Sequence, residues 1–300
     1  LFLIHALWAG VNKAIEYAGP WLSPTLLAAS RWTLVAGTLF AALRQPWFRD
    51  LTKPNWPDRA DRWKCVVLGA GLFGPSHAMY YWGINNPSSP ATGTEGTVLL
   101  TTAPLWVALL GLWMLGERLD WHRWVSILVG LVGAFVVMFG FTLPHMEAQG
   151  AWGRAVFLLG VVVESLSFVA ITRITRRSSG VCTFVLQASG AALGLAVLGL
   201  FAPAVFPPQA AEFSWAALAG LLYLVFVAGL FCWLVLMILT EKQELAFLSL
   251  AILLQPPIAA ALDAWTGKEI RPETWQGTLI VGFALLLSVS GGRRKEAAIG

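Results

Sequence analysis

Glu164 is the residue whose placement most demands a reason. It follows Val161, Val162 and Val163 in the middle of an apolar run, and a charge near a bilayer centre costs about 2.5–3.5 kcal/mol on insertion scales. Such a carboxyl either meets a substrate ammonium or a coupling proton, or stays protonated and locks a neighbouring helix by a hydrogen bond. A second group is Gly74-Pro75 followed by His77, Tyr80 and Tyr81. Helical spacing of i+3 and i+4 from His77 makes one polar aromatic face, able to stack on a substrate and orient it. Pro75 frees a backbone carbonyl one turn earlier, which marks a kink or gate. Gln255 precedes Pro256 and Pro257; its amide can bind a carboxylate, and the two prolines leave carbonyls near 252 and 253 in need of partners. Lys13 and Glu16 lie three apart and can neutralise each other, with Lys13 deeper and Glu16 nearer the surface. Thr92, Thr94 and Glu95 open an apolar segment with a polar turn that borders water, and Glu95 joins Glu164, Pro75 and Pro256 as a coupling or gating candidate. Tyr223 and Trp233 read as packing aromatics.

The elements that must hold these groups are membrane helices. The 300 residues are 57% hydrophobic and only 12% charged, with a mean hydropathy of +0.70. A soluble domain of this length carries about twice that share of charge, so a soluble fold is excluded, as is disorder. Three cysteines make no disulfide framework. Sixteen tryptophans and 29 glycines fit a polytopic membrane protein, with Trp at the interfaces and Gly where helices touch. Apolar runs predict ten spans, near 1–18, 23–43, 64–84, 90–115, 121–141, 152–173, 179–201, 214–239, 243–265 and 273–291. The first has no cleavage-like end and carries Lys13 and Glu16, so it is expected to be a retained helix.

Lys and Arg fall unequally on the two sides of this arrangement. Arg44, Arg49, Lys53, Arg59, Arg62 and Lys64, Arg118 and Arg123, Arg173, Arg176 and Arg177, Lys242, and Arg293, Arg294 and Lys295 occupy one set of loops. The other set holds Arg154, Lys268 and Arg271 alone. The positive-inside rule then puts both termini in the cytoplasm. The basic stretch at 44–64 is a topology signal suited to anionic headgroups, and no nucleic-acid partner is expected.

An internal repeat appears when the chain is slid by 152 residues. Pro104 meets Pro256, Trp113 meets Trp265, Glu117 meets Glu269 and Gly130 meets Gly282, so Pro-x12-Glu-x12-Gly stands in both halves. The same register sets Asn12 opposite Glu164. Five spans per half would invert the second copy, the plan of secondary transporters. Glu117 and Glu269, at helix ends, then look structural, bonding the exposed amides of the following helix.

At these residues the chain resembles the drug/metabolite transporter superfamily, EamA type. The resemblance rests on Trp8, Gly10 and Asn12, on Pro24 with Arg31, on Ala103-Pro104 with Gly116-Glu117-Arg118-Leu119, and on Gln255-Pro256 with Gly267-Lys268-Glu269. Two departures stand out: Asn12 comes later after Trp8 than is usual, and Lys268 is inserted before Glu269. The resemblance implies an all-α fold of ten helices in two inverted five-helix repeats, at 1–141 and 152–291, with a tail at 292–300. It implies a central cavity lined by helices 1, 3, 4, 6, 8 and 9, and carriers or uniporters of amino acids and other small metabolites. It sets Arg31 outside the cavity wall, in a structural role like those of Pro104, Glu117 and Glu269.

The expected substrate set is Asn12, Lys13, His77, Tyr80, Tyr81, Glu164 and Gln255. No Walker A or Gly-x-Ser-x-Gly sequence is present, and the histidines and cysteines lack metal-ligand spacing, so no enzyme, cofactor or metal is expected. The expected partners are the lipid bilayer, a small-molecule substrate and protons. The expected function is a secondary carrier exporting amino acids or related metabolites from the bacterial inner membrane. A nucleotide-sugar or sugar-phosphate exchanger of the same superfamily is the alternative within transport, disfavoured because anionic phosphates want several cavity cations and only Lys13 and Arg31 are available within the spans. A non-transporting sensor or scaffold docking through 44–64 is the alternative outside it.

Overall fold

The computed structural model describes residues 2–85, 91–115, 121–139, 151–205, 213–240, 252 and 255–296, and every regular element among them is helical. Five stretches are long and apolar enough to cross a membrane: Pro24–Leu43, Gly93–Met114, Trp152–Arg177, Gly180–Phe201 and Trp215–Leu239, with mean hydropathies from 1.5 to 2.7. Their flanks carry exposed tryptophans such as Trp47, Trp63, Trp113, Trp152, Trp215 and Trp265, the residue type whose amphipathic ring favours a membrane–water interface. Together these make the chain an integral membrane protein.

The predicted first span is two helices rather than one, α1 (Phe2–Trp8) and α2 (Val11–Ala18). The Leu7 carbonyl beside the break accepts the Tyr223 hydroxyl, and a side chain at Gly10 would collide with that same hydroxyl. Helix α3 (Pro24–Leu43) starts on a Ser23 cap with Pro24 at its first turn, where a missing N–H costs nothing. The basic stretch that follows is partly helical, as α4 (Pro46–Thr52) and the start of α5 (Arg59–Leu68). A π-helical stretch, Gly69–Phe73, joins α5 to α6 (Gly74–Asn85), so the break expected at Pro75 is a widened turn just before it. Helices α7 (Gly93–Leu100) and α8 (Ala103–Leu115) meet at Thr101-Thr102, ahead of Pro104. There the two hydroxyls cap the Val98 and Leu99 carbonyls at 2.6 Å each.

Then come α9 (Trp121–Phe139), α10 (Ala151–Arg177) and α11 (Gly180–Val205). Helices α12 (Trp215–Leu222) and α13 (Trp233–Thr240) are joined by a second π stretch, Tyr223–Cys232. Shifted back by 152 residues, that stretch overlaps the first one at 71–73. The last elements are α14 (Gln255–Trp265) and α15 (Pro272–Glu296). Helix α15 therefore runs through the first residues of the expected tail. The carbonyl expected to lack a partner at 253 lies outside the described residues, as does Glu117.

Packing pairs α3 with α11, α6 with α10, α2 with α12, α7 with α14 and α9 with α15. Small residues set the closest approaches. A Cβ on Gly69 would stand 2.2 Å from the Gln187 carbonyl, and one on Gly190 would stand 2.1 Å from that of Val66. Close backbone contact of this kind substitutes for hydrophobic drive inside a bilayer.

Candidate functional site

The first polar cluster joins α6 to α10. Gly83 lies against the Gly153 carbonyl and Gly160 against Tyr80 and the Ser76 carbonyl, so the two backbones come close enough for side chains to meet. The Tyr80 hydroxyl donates to Glu164 Oε2 at 2.5 Å. His77 Nε2 stands 3.8 Å from Glu164 Oε1, while His77 Nδ1 is 2.8 Å from the Phe73 carbonyl. A carbonyl can only accept, so Nδ1 carries the hydrogen and Nε2 is the nitrogen left facing Glu164. Trp32 and Phe73 pack around the imidazole with ring centroids 4.7 Å from it.

Tyr81 turns to a different partner. Arg31, 2% exposed, donates to the Tyr81 hydroxyl at 2.7 Å and stacks over Trp32 at 4.6 Å. Among the described residues Arg31 has no carboxylate within ion-pair distance. Its delocalised charge is held by a phenol and an aromatic face. The face expected from His77, Tyr80 and Tyr81 thus divides: Tyr80 serves α10 and Tyr81 serves α3, because consecutive helical residues diverge by about 100°.

The second cluster gathers at the N-terminus of α7. Thr92 and Glu95 form a reciprocal cap. Asn12 Nδ2 donates to the Gly93 carbonyl at 3.1 Å and to Thr97 Oγ1 at 2.9 Å. Lys13 pairs with Glu16 at 2.9 Å, as their spacing predicts, and also with Asp263 at 3.2 Å. Asp263 further accepts the Thr94 N–H at 2.8 Å and the Thr94 hydroxyl at 2.7 Å. Glu16 reaches Lys268 at 2.8 Å. Glu95 lies 2.6 Å from Arg271 and 3.4 Å from Arg154. Seven charged side chains therefore meet in five ion pairs, of which only Lys13–Glu16 stays within one half of the chain.

Gln255 stands apart from both clusters, its Nε2 2.8 Å from His5 Nδ1. Pro256 is buried in the first turn of α14. Glu269 is exposed and, among the described residues, bonds no amide of α15. The structure therefore brings His77, Tyr80 and Glu164 together and places Asn12, Lys13 and Glu95 in a separate ionic cluster. Asp263, Arg154, Lys268 and Arg271 were not among the expected site residues. An acid inside an apolar segment was the available signal for Asp263; the three cations read only as loop markers. A cavity of about 450 Å³ opens between α5, the end of α8 and α10. Its lining residues Val169, Ala170 and Arg173 are turned about 120° or more around α10 from Glu164, so this cavity is separate from the first cluster.

Fold and site together define a polytopic helical membrane protein with buried polar links between distant parts of its chain. Residues 1–139 match the EamA-like transporter family, and this is the part of the chain that carries Trp8, Pro24 with Arg31 and Ala103-Pro104. An uncharacterized transporter of Archaeoglobus fulgidus is 28% identical over 142 residues, covering 46% of this chain and 45% of that protein. The uncharacterized transporter YdfC of Bacillus subtilis is 27% identical over 178 residues, 58% of this chain and 53% of its own length. The chain spans about half the length of these relatives. A solved crystal structure, 17% identical, superposes with a TM-score of 0.61 over 98% of this chain and 97% of that one, a likeness of fold.

Proposed function

We propose that the protein is a secondary transporter that moves small organic solutes, amino acids or related metabolites foremost, outward across the plasma membrane by alternating access. Its halves are 1–141 and 152–291, related as an inverted repeat, with both termini in the cytoplasm. The observation that carries this is the set of polar contacts between the halves at two levels: Tyr80–Glu164 within the apolar part of the bundle, and Lys13–Asp263, Glu16–Lys268 and Glu95–Arg271 at one end. The packing pairs support the repeat, since α3 with α11 and α9 with α15 each exchange partners with themselves when one half is laid on the other.

Substrate sits against His77, Tyr80 and Glu164, whose carboxyl takes a substrate ammonium or a proton in exchange for the Tyr80 hydroxyl. Asn12, Lys13 and Gln255 border the path, with Tyr81 holding Arg31 at its edge. Pro75 and the π stretch before it provide the hinge. Counterflow of labelled amino acids in proteoliposomes tests the proposal. Uptake by the wild-type protein, with loss of proton dependence in Glu164→Gln between about pH 5 and 8, is the expected result. Wild-type protein that moves none of a broad amino-acid and metabolite panel overturns it.

A further inference from the structure

The ionic cluster at the α7 N-terminus has a property that a symmetric carrier would lack. In the 152-residue register, Lys13, Glu16 and Glu95 fall opposite Ser165, Phe168 and Phe247. Arg154, Asp263, Lys268 and Arg271 fall opposite Phe2, Gly111, Gly116 and Leu119. Every one of the seven charges thus has an uncharged counterpart. The cluster also contains all three cations of the sparsely charged set of loops, Arg154, Lys268 and Arg271. Loop cations normally face water; here Arg154 is 5% exposed, and Lys268 and Arg271 reach inward to acids of the other half.

We infer that these seven residues form a one-sided ionic latch, which holds the non-cytoplasmic end of the bundle closed in the absence of substrate. The inference rests on the proposed exchange between halves. Closing this end joins oppositely charged groups from two halves around one helix N-terminus, with the Thr94 N–H and hydroxyl completing the Asp263 carboxylate. Position for position, the counterparts of these seven at the other end are phenylalanine, glycine, leucine and serine, which bring no charge to pair. The two closed states of a nearly symmetric bundle then differ in free energy, and the ligand-free protein rests with the latched end shut. Opening toward that side requires breaking the four inter-half pairs, so this step carries the substrate-dependent part of the cycle.

The test uses a reporter cysteine at Thr97, which is 1% exposed and lies one turn deeper along α7 than Gly93. The native cysteines are all buried, so background labelling by a membrane-impermeant maleimide is low. Full-length Thr97→Cys protein in nanodiscs, without substrate, is compared with the same protein carrying Lys268→Gln and Arg271→Gln. Both positions lie at the rim, with side chains 41% and 38% exposed, so the fold tolerates the change. The expected result is slow labelling of the parent and a rise of about tenfold in the neutralised pair, as for a closed population weakened by a factor of ten. The charge-preserving pair Lys268→Arg and Arg271→Lys is expected to label like the parent. Equal labelling of parent and neutralised protein overturns the latch, as does an equal rise in the charge-preserving pair or parent labelling as fast as in unfolded protein. Labelling needs no transport, so a latch that passes while no solute moves would sink the proposed function alone.

Discussion

Removing the Asp263 carboxylate isolates a buried joint between the two halves of the chain. Its side chain is 2% exposed and accepts from Lys13 Nζ at 3.2 Å, the Thr94 N–H at 2.8 Å and the Thr94 hydroxyl at 2.7 Å. Asp263→Asn keeps one acceptor for Thr94 and loses the charge-assisted bond to Lys13, a loss of about 2 kcal/mol. Asp263→Ala also strands the buried Thr94 N–H, and breaking a buried pair from one side costs about 3–5 kcal/mol. Lys13 keeps Glu16 at 2.9 Å, which holds the expected value for Asp263→Ala near the bottom of that range. Lys13→Met removes the other member and leaves Asp263 with its two Thr94 donors, so Lys13→Met with Asp263→Asn should cost less than the sum of the single changes by about 1–2 kcal/mol. Equilibrium unfolding in mixed micelles, followed by tryptophan fluorescence, measures the four corners of this cycle. A coupling below about 0.5 kcal/mol refutes the assignment. So does an Asp263→Ala variant no less stable than Asp50→Asn, a change at an exposed position.

Other substitutions separate packing from polar contact. Gly69→Ala drives a methyl to within 2.2 Å of the Gln187 carbonyl, whereas Gly71→Ala, two residues on in the same π stretch, meets nothing within 4 Å. The first is expected to cost more than about 2 kcal/mol by overpacking and the second less than about 0.5 kcal/mol, read from the same unfolding curves. Tyr81→Phe removes the hydroxyl that receives Arg31 and leaves a buried guanidinium N–H unpaired, a loss of about 1–3 kcal/mol. Its partner change Arg31→Leu, made together with Tyr81→Phe, should recover part of that loss in the same assay.

Much of the fold is legible from local pattern. Apolar runs placed the five stretches long and apolar enough to cross a membrane, because length and hydropathy suffice to mark a span, and Pro75 placed an interruption because a missing N–H acts on its own turn. Lys13 with Glu16 was readable from i,i+3 spacing alone. The Lys13–Asp263 contact was not, since it joins residues 250 apart and no periodicity reports which helices become neighbours. The single face expected from His77, Tyr80 and Tyr81 divides in the structure, because adjacent side chains on a helix diverge and the neighbour each one meets depends on tertiary packing. Arg154, Lys268 and Arg271 show a related limit: counting charges by loop gives only an expected side of the membrane and does not reveal that the same charges are bound in pairs. Gln255 was singled out for its place before two prolines, and its neighbour His5 lies at the other extremity of the chain.

The two π stretches bear on how the halves can move. A π turn holds one residue more than an α turn, so Gly69–Phe73 and Tyr223–Cys232 each store a register shift. Annealing one of them into α geometry would turn everything beyond it by about 100° and draw it along by about 1.5 Å, while the far end of the same helix stayed packed. For α6 that rotation swings Tyr80 out of line with Glu164 and carries its neighbour toward the vacated place. A helical bundle built this way can exchange contacts at its centre by a screw motion confined to half a helix, with the glycine-packed seams between α5 and α11 serving as fixed bearings.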